Sequence, residues 1–148
     1  MLGFEVRDEN FEQRVRDSFA LQIAMQSLGM EISEVEPGLV VLEMPFNPEF
    51  TQQHGFHHAG IATTGMDSAC GYAAFSLMDA EAEVLTVEFK TNFLAPAMGD
   101  RFRFCGEVIK PGRTLTICEG KAYALNSDAS PKLIANMSAT MIAVYNQS

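Results

Sequence analysis

Thr51–Met78 reads TQQHGFHHAGIATTGMDSACGYAAFSLM, and the reading of this stretch decides the fold. All three histidines of the chain, His54, His57 and His58, fall in its first eight positions. A run of small and apolar residues follows, in which Asp67 is the one formal charge if the histidines are neutral. From Ala59 to Leu77 there is length for about five helical turns. Side chains this small let a neighbouring sheet approach the helix axis closely. A lone carboxylate in such a segment is costly to bury unless something pairs with it or uses it. Residues 58–78 also resemble a membrane span, but a central Asp67 would cost roughly 2.5–3.5 kcal/mol there, and three glycines weaken that reading further.

Working outward, Phe11, Val15, Phe19 and Ile23 recur at i+4 steps and predict an amphipathic N-terminal helix over about 8–28. Asn10 with Gln13 resembles a capping box, and Gly29 fits the stop. Pro37-Gly38 predicts a turn, Leu39–Met44 a strand, and Asn47-Pro48-Glu49 its end. After the central helix, four strands are expected: Thr86–Phe93, Arg101–Val108, Thr114–Leu125 and Leu133–Tyr145. In the first, Val87, Phe89 and Phe93 alternate with Glu88, Lys90 and Asn92, which puts Thr86 on the polar face. Short turns between long strands imply antiparallel pairing. The expectation is one α+β domain over residues 1–148. A long central helix is wrapped by a curved antiparallel sheet of five or six strands, forming a core over about 30–146 behind the N-terminal helix. Open sheet edges invite edge-to-edge dimerisation.

The net charge of −9 argues against nucleic acid as a partner, because phosphate binding needs a basic face. An anionic ligand would need a local cluster of Lys or Arg. Cys70, Cys105 and Cys118 are odd in number and far apart, so they read as free thiols in a reducing compartment. The N-terminus carries charges where a signal peptide needs its apolar core, and a cytoplasmic location without a membrane partner is expected. His54, His57 and His58 have i, i+3, i+4 spacing, which on a helix could hold a metal. Gly55 and the turn it implies argue against a helix there, so neither metal nor cofactor is expected.

The start of the central helix, near His58-Ala59-Gly60, offers unpaired backbone N–H groups and the positive end of the dipole. That is an oxyanion site for an acyl carbonyl. Asp67 lies seven residues beyond Gly60, roughly 10 Å along the axis. A carboxylate and an oxyanion donor serving one carbonyl each sit about 3 Å from it, so they can be no more than about 6–7 Å apart. One helix therefore cannot supply both. Two antiparallel copies can, which predicts a dimer with two sites across its interface if Asp67 is catalytic. Asp67 could otherwise be structural, bonding Thr63 or Thr64 one turn back, or a dimer-interface contact.

Gln52-x-x-Gly55-x-x-His58-Ala59-Gly60, then Asp67-Ser68-Ala69 and Gly71-Tyr72-Ala73-Ala74, resembles the PaaI-like acyl-CoA thioesterases of the hotdog fold. That family carries an acidic residue nine positions after its His, as Asp67 follows His58 here. Val87–Lys90 and Asn92–Ala97 also resemble the family's strand and turn after the helix, and the likeness covers about 38–145. It implies acyl-CoA as substrate and a homodimer or homotetramer. Carried over by position, Asp67 is nucleophile or general base, and the N–H of Ala59 or Gly60 polarises the carbonyl. Gln52 orients carbonyl or water, His58 shapes the turn and contacts the sulfur side of the thioester, and Thr86 holds the water. Ala59 replaces a glycine of the family pattern, and Gln52 stands where Asn is common. Lys90, Arg101, Lys110 and Arg113 are candidates for the coenzyme A phosphates. Two other readings compete with hydrolysis: a hotdog hydratase or dehydratase, and a non-catalytic protein that holds an acyl or aromatic ligand.

Overall fold

The computed structural model describes residues 3–146. Two short helices, α1 (Phe11–Ala20) and α2 (Ile23–Leu28), replace the single N-terminal helix that the apolar spacing predicts. The chain breaks at Leu21–Gln22, where Gln22 is extended with φ −81° and ψ 102°. Val15 and Met25, both buried, are ten residues apart and would sit about 80° apart around one straight helix. The break turns both into the core and leaves Leu21 and Ile23 exposed. Asn10 makes no side-chain cap, and Gln13 bonds Asp17 instead. Gly29 does end α2, at φ +72°, in the left-handed conformation that suits glycine.

Six strands form one antiparallel sheet: β1 (Glu31–Glu36), β2 (Leu39–Pro45), β3 (Ala82–Phe93), β4 (Arg101–Lys110), β5 (Leu115–Leu125) and β6 (Lys132–Tyr145). Their order is β1-β2-β4-β5-β6-β3, so β1 and β3 are the edges. β1 is the strand that the sequence pattern did not reveal. Its EISEVE carries three glutamates, and a register shift between Ile32 and Glu34 lets Ile32 and Val35 share the core face. Such a shift breaks the period-two signal by which strands are read.

The central helix α3 (Ala59–Phe75) lies against β2, β3, β4, β5 and β6. Its small residues do what their composition implies. A Cβ at Gly106 of β4 would stand 2.2 Å from the Ala69 backbone, so strand and helix main chains touch there. Met66, Ala69, Cys70 and Ala73 are fully buried against Phe102, Phe104, Met137 and Met141 of the sheet. Arg14 ties α1 to the far end of α3. Its guanidinium bonds the carbonyls of Phe75 at 3.2 Å and Met78 at 2.8 Å, and it stacks 4.3 Å over the Phe75 ring.

Candidate active site

The approach to α3 is a tight turn. Gln52 N–H donates to the Phe56 carbonyl at 2.8 Å, and Gly55 takes φ +86°. The Gln52 side-chain carbonyl accepts from the N–H of His54 at 2.6 Å and of Phe56 at 3.3 Å. Its amide NH2 makes no hydrogen bond among the described residues. His57 is buried and stacked between Phe46, at 4.9 Å, and Phe102, at 4.5 Å. Its Nε2 accepts from the Asn47 N–H at 2.9 Å, and burial holds its pKa below the ordinary imidazole value. His57 is thus a structural plug.

His58 caps α3, with its Nδ1 accepting from the Gly60 N–H at 2.9 Å. This narrows the oxyanion expectation, because the Gly60 donor is already occupied. Among the described residues the Ala59 N–H has no acceptor, so it is an open donor at the helix start. Gln52, His58 and Ala59 line one cavity of about 600 Å³, together with Phe93–Ala97 and Ile134.

Asp67 lies elsewhere. It lines a smaller cavity of about 250 Å³ with Thr86, Gly71, Tyr72, Ser18 and Gln22. The two cavities share no lining residue. Thr63 and Thr64 donate to the carbonyls of Ala59 and Gly60, one turn back, at 3.0 and 2.9 Å. They are therefore not the partners of Asp67. The Thr86 hydroxyl is, donating to Asp67 Oδ1 at 2.8 Å. Burial raises the Asp67 pKa above the ordinary carboxylate value, and the Thr86 bond partly opposes this.

Thr86 reaches Asp67 because of a bulge. Thr86 pairs with Met141 and Glu88 with Thr140, so Val87 is an extra residue. Cross-strand partners share a face. Met141 is fully buried, so Thr86 points to the helix side, while Glu88 and Lys90 lie on the other face. The alternation that predicted a common polar face for all three is broken at Val87.

Thiol chemistry is disfavoured in this core. Burial pushes the Cys70 thiol up strongly and that of Cys118 up to about 12.

The family model described as the thioesterase superfamily matches residues 54–129, slightly more than half of the chain. The chain belongs to the thioesterase superfamily. A protein of Saccharolobus solfataricus provisionally named an esterase is 36% identical over 92 residues, 62% of this chain and 65% of that one, just under two thirds of its length. A second from the same organism, named in the same way, is 32% identical over 107 residues, 72% and 71% of the two chains. Among solved structures, a thioesterase family protein from Silicibacter pomeroyi has a TM-score of 0.90 and 57% identity, covering 92% of this chain and 99% of that one. The PaaI protein of E. coli, from the phenylacetic acid degradation operon, has a TM-score of 0.83 at 17% identity, covering 97% and 99%. At that identity it shows the fold alone. The hotdog architecture and the thioesterase-family membership expected from the sequence are thereby established.

The cations expected from the sequence to meet a phosphate-bearing ligand are dispersed. Arg101 Nε lies 3.5 Å from Glu43 and Arg103 Nε lies 3.3 Å from the same carboxylate. Arg101 and Lys110 begin and end β4, roughly 30 Å apart along the strand. Lys90 bonds Asn92 on β3. Lys110 and Arg113 make no ion pair among the described residues. The pattern that named Asp67 and Thr86 missed Ser18, Gln22 and Tyr72, which share their cavity. No residue-type signal marks the break at Leu21–Gln22 that brings Gln22 there.

Proposed function

We propose that this thioesterase-superfamily chain hydrolyses an acyl-CoA thioester to the free acid and coenzyme A at a site shared by two copies. The observation that carries the proposal is the separation of Asp67 from the α3 start into two cavities with no common residue. On one chain the Ala59 N–H and the Asp67 carboxylate are on the order of 10 Å apart along the axis, too far to serve one carbonyl. A second copy with its α3 antiparallel brings its Ala59 to the first copy's Asp67. The edge strand β3 supports that arrangement. It pairs with β6 on one side only, and Leu85, Val87, Phe89 and Phe93 stand exposed on it. Edge-to-edge pairing of β3 with its twin buries those residues and completes the unpaired ladder.

In this reading the thioester carbonyl oxygen accepts from Ala59 N–H, and the Gln52 amide orients it. Asp67 takes a proton from water while the water oxygen bonds the carbonyl carbon. The carbon–sulfur bond then breaks, and the proton passes to the departing sulfur. Alternatively Asp67 bonds the carbon directly, the thiolate leaves, and water hydrolyses the resulting anhydride. Thr86 holds Asp67 in place for either route. His58 acts through the turn and through its bond to Gly60. Lys90, Lys110 and Arg113 are the candidates for the phosphates, and Arg101 serves them only by releasing Glu43. The cytoplasm is the compartment that suits free thiols, and no described helix is long and apolar enough to cross a membrane.

A panel of acyl-CoA thioesters assayed by thiol release, with a protein-only blank for the three free cysteines, tests the activity. Turnover that Asp67→Asn abolishes supports it, and equal rates for wild type and variant on every thioester overturn it. Single turnover in oxygen-18 water separates the routes, since label entering Asp67 marks direct attack.

A further inference from the structure

We propose that His57 is also a substrate-binding residue, its Nδ1–H donating to a carbonyl oxygen on the thiol side of the thioester, in the cavity at the start of α3. The inference rests on the hydrolysis proposed above. As a plug, His57 uses one ring nitrogen only. Its Nε2 meets the Asn47 N–H at 2.9 Å. A backbone N–H can only donate, so Nε2 carries the lone pair. Burial holds the imidazole below its ordinary pKa, so the ring is neutral and its one proton sits on Nδ1. Stacking between Phe46 and Phe102 fixes the ring plane, and with it the direction of that N–H.

Among the described residues Nδ1–H has no acceptor, although His57 is only 4% exposed. A buried donor left unpaired is costly, and an acceptor on a ligand removes that cost. Nδ1 is not sealed in the core. Among the described residues, the sealed side-chain polar atoms without a partner are Arg14 Nη1 and Thr91 Oγ1. His57 lines the cavity of about 600 Å³, and this cavity is the outlet for its N–H. The volume falls within the range of roughly 300–1,000 Å³ common for small-molecule sites. No Lys, Arg, Asp or Glu lines it, so it offers no partner to a charged group. Phe93, Leu94, Pro96 and Ile134 supply apolar wall. A neutral ligand with carbonyl oxygens suits such a lining. In the reading above Ala59 and Gln52 take the reacting carbonyl, and the acyl group runs toward the other copy's Asp67. The thiol side is then left in this cavity. The arm of coenzyme A begins S–CH2–CH2–NH–C=O, so an amide carbonyl lies close to the sulfur. His57 precedes Ala59 by two residues, which puts its donor beside that part of the ligand. His58 lines the same cavity, but it is exposed, so water satisfies its other nitrogen.

The test compares thioesters of one acyl group on three thiols: N-acetylcysteamine, 5-mercaptopentan-2-one and pentanethiol. The first two carry a carbonyl at the same distance from sulfur, where the third has a methylene. Wild type is expected to favour both carbonyl thiols over pentanethiol by about tenfold in kcat/KM, expressed through KM. His57→Phe is expected to bring both ratios to within about twofold of unity. Four results overturn the proposal: a wild-type ratio near unity, a ratio unchanged in His57→Phe, a preference carried by kcat alone, or an amide preference that the ketone does not share. If His57→Phe does not fold, nitrogen-15 NMR of wild type decides. Nδ1 is expected to be protonated and Nε2 bare. The non-hydrolysable thioether of the ketone thiol should shift the Nδ1–H signal, and the pentyl thioether should not. A proton on Nε2, equal shifts, or no shift with the ketone overturns the proposal. A shift confined to the ketone, in a chain that hydrolyses nothing, upholds the donor and refutes the hydrolysis.

Discussion

The start and the middle of α3 treat their polar groups in opposite ways. At the start nearly everything is spent locally. The Gln52 carbonyl serves two N–H groups, His57 holds Asn47, and His58 covers the Gly60 N–H. Among the described residues the Ala59 N–H, at the first position of the helix, remains open. In the middle, Asp67 has one side-chain partner, Thr86, and sits buried enough to raise its pKa. One region is therefore an almost finished donor site and the other a carboxylate held at an energetic cost. The difference teaches that one helix presents two distinct polar regions to two different cavities, and the proposed pairing of two copies is what would bring them together.

Asp67→Asn should have the largest effect on this division, lowering turnover by about a thousandfold or more. It should not lower stability. Because burial raises the Asp67 pKa, the folded chain keeps a proton that the unfolded chain has released. Stability from this group is present at low pH and is lost as pH rises through the raised value. The neutral asparagine removes that loss, so its melting midpoint at pH 7 should equal or exceed that of wild type. A clear drop in midpoint would mean that Asp67 holds the fold and not the reaction.

Next in size is Ala59→Pro, expected to cost about 10²–10³ in kcat by removing the open donor. Proline suits the first helical position, and His58 is already extended at φ −60° and ψ 139°, as a residue before proline should be. The helix should survive, as circular dichroism will check. Retained activity would move the oxyanion donor elsewhere. Thr86→Val should lower kcat/KM by roughly tenfold, as expected for loss of a hydrogen bond to a charged group. It should also shift the acid limb of the pH–rate profile upward, since the Thr86 bond opposes the rise in the Asp67 pKa.

On the side of the helix start, His57→Phe should cost about 1–3 kcal/mol by orphaning the Asn47 N–H, measured by denaturant unfolding. Burial depresses the His57 pKa below 6.5, so the unfolded chain takes up its proton first as pH falls. Wild-type stability should therefore decline below about pH 6.5, and the variant should lack that part of the decline. The smallest effect is expected from Gly71→Ala. It should stabilise by up to about 1 kcal/mol through helix propensity, while bulky acyl groups lose kcat/KM as the cavity narrows.

Legibility in the sequence followed the same physical division. Asp67 stood out because a lone charge in a run of small residues is conspicuous at any level of description. The small residues also foretold the contact between Gly106 and Ala69. Hidden features came from local departures that leave composition unchanged. The bulge at Val87 reversed the face of Thr86, and the shift at Ile32–Glu34 concealed β1. The break at Leu21–Gln22 contains neither Gly nor Pro, so nothing in residue type announced it. The capture of Gly60 by His58 needed side-chain geometry, because the same three residues could equally have left both donors open.

Subunit mixing tests the shared site most directly. Asp67→Asn and Ala59→Pro chains, each inactive alone, are unfolded together in equal amounts and refolded. Random pairing should then restore about a quarter of wild-type activity, because half of the dimers are mixed and each mixed dimer carries one intact site. A mixture no more active than its two components would contradict a site built from two copies.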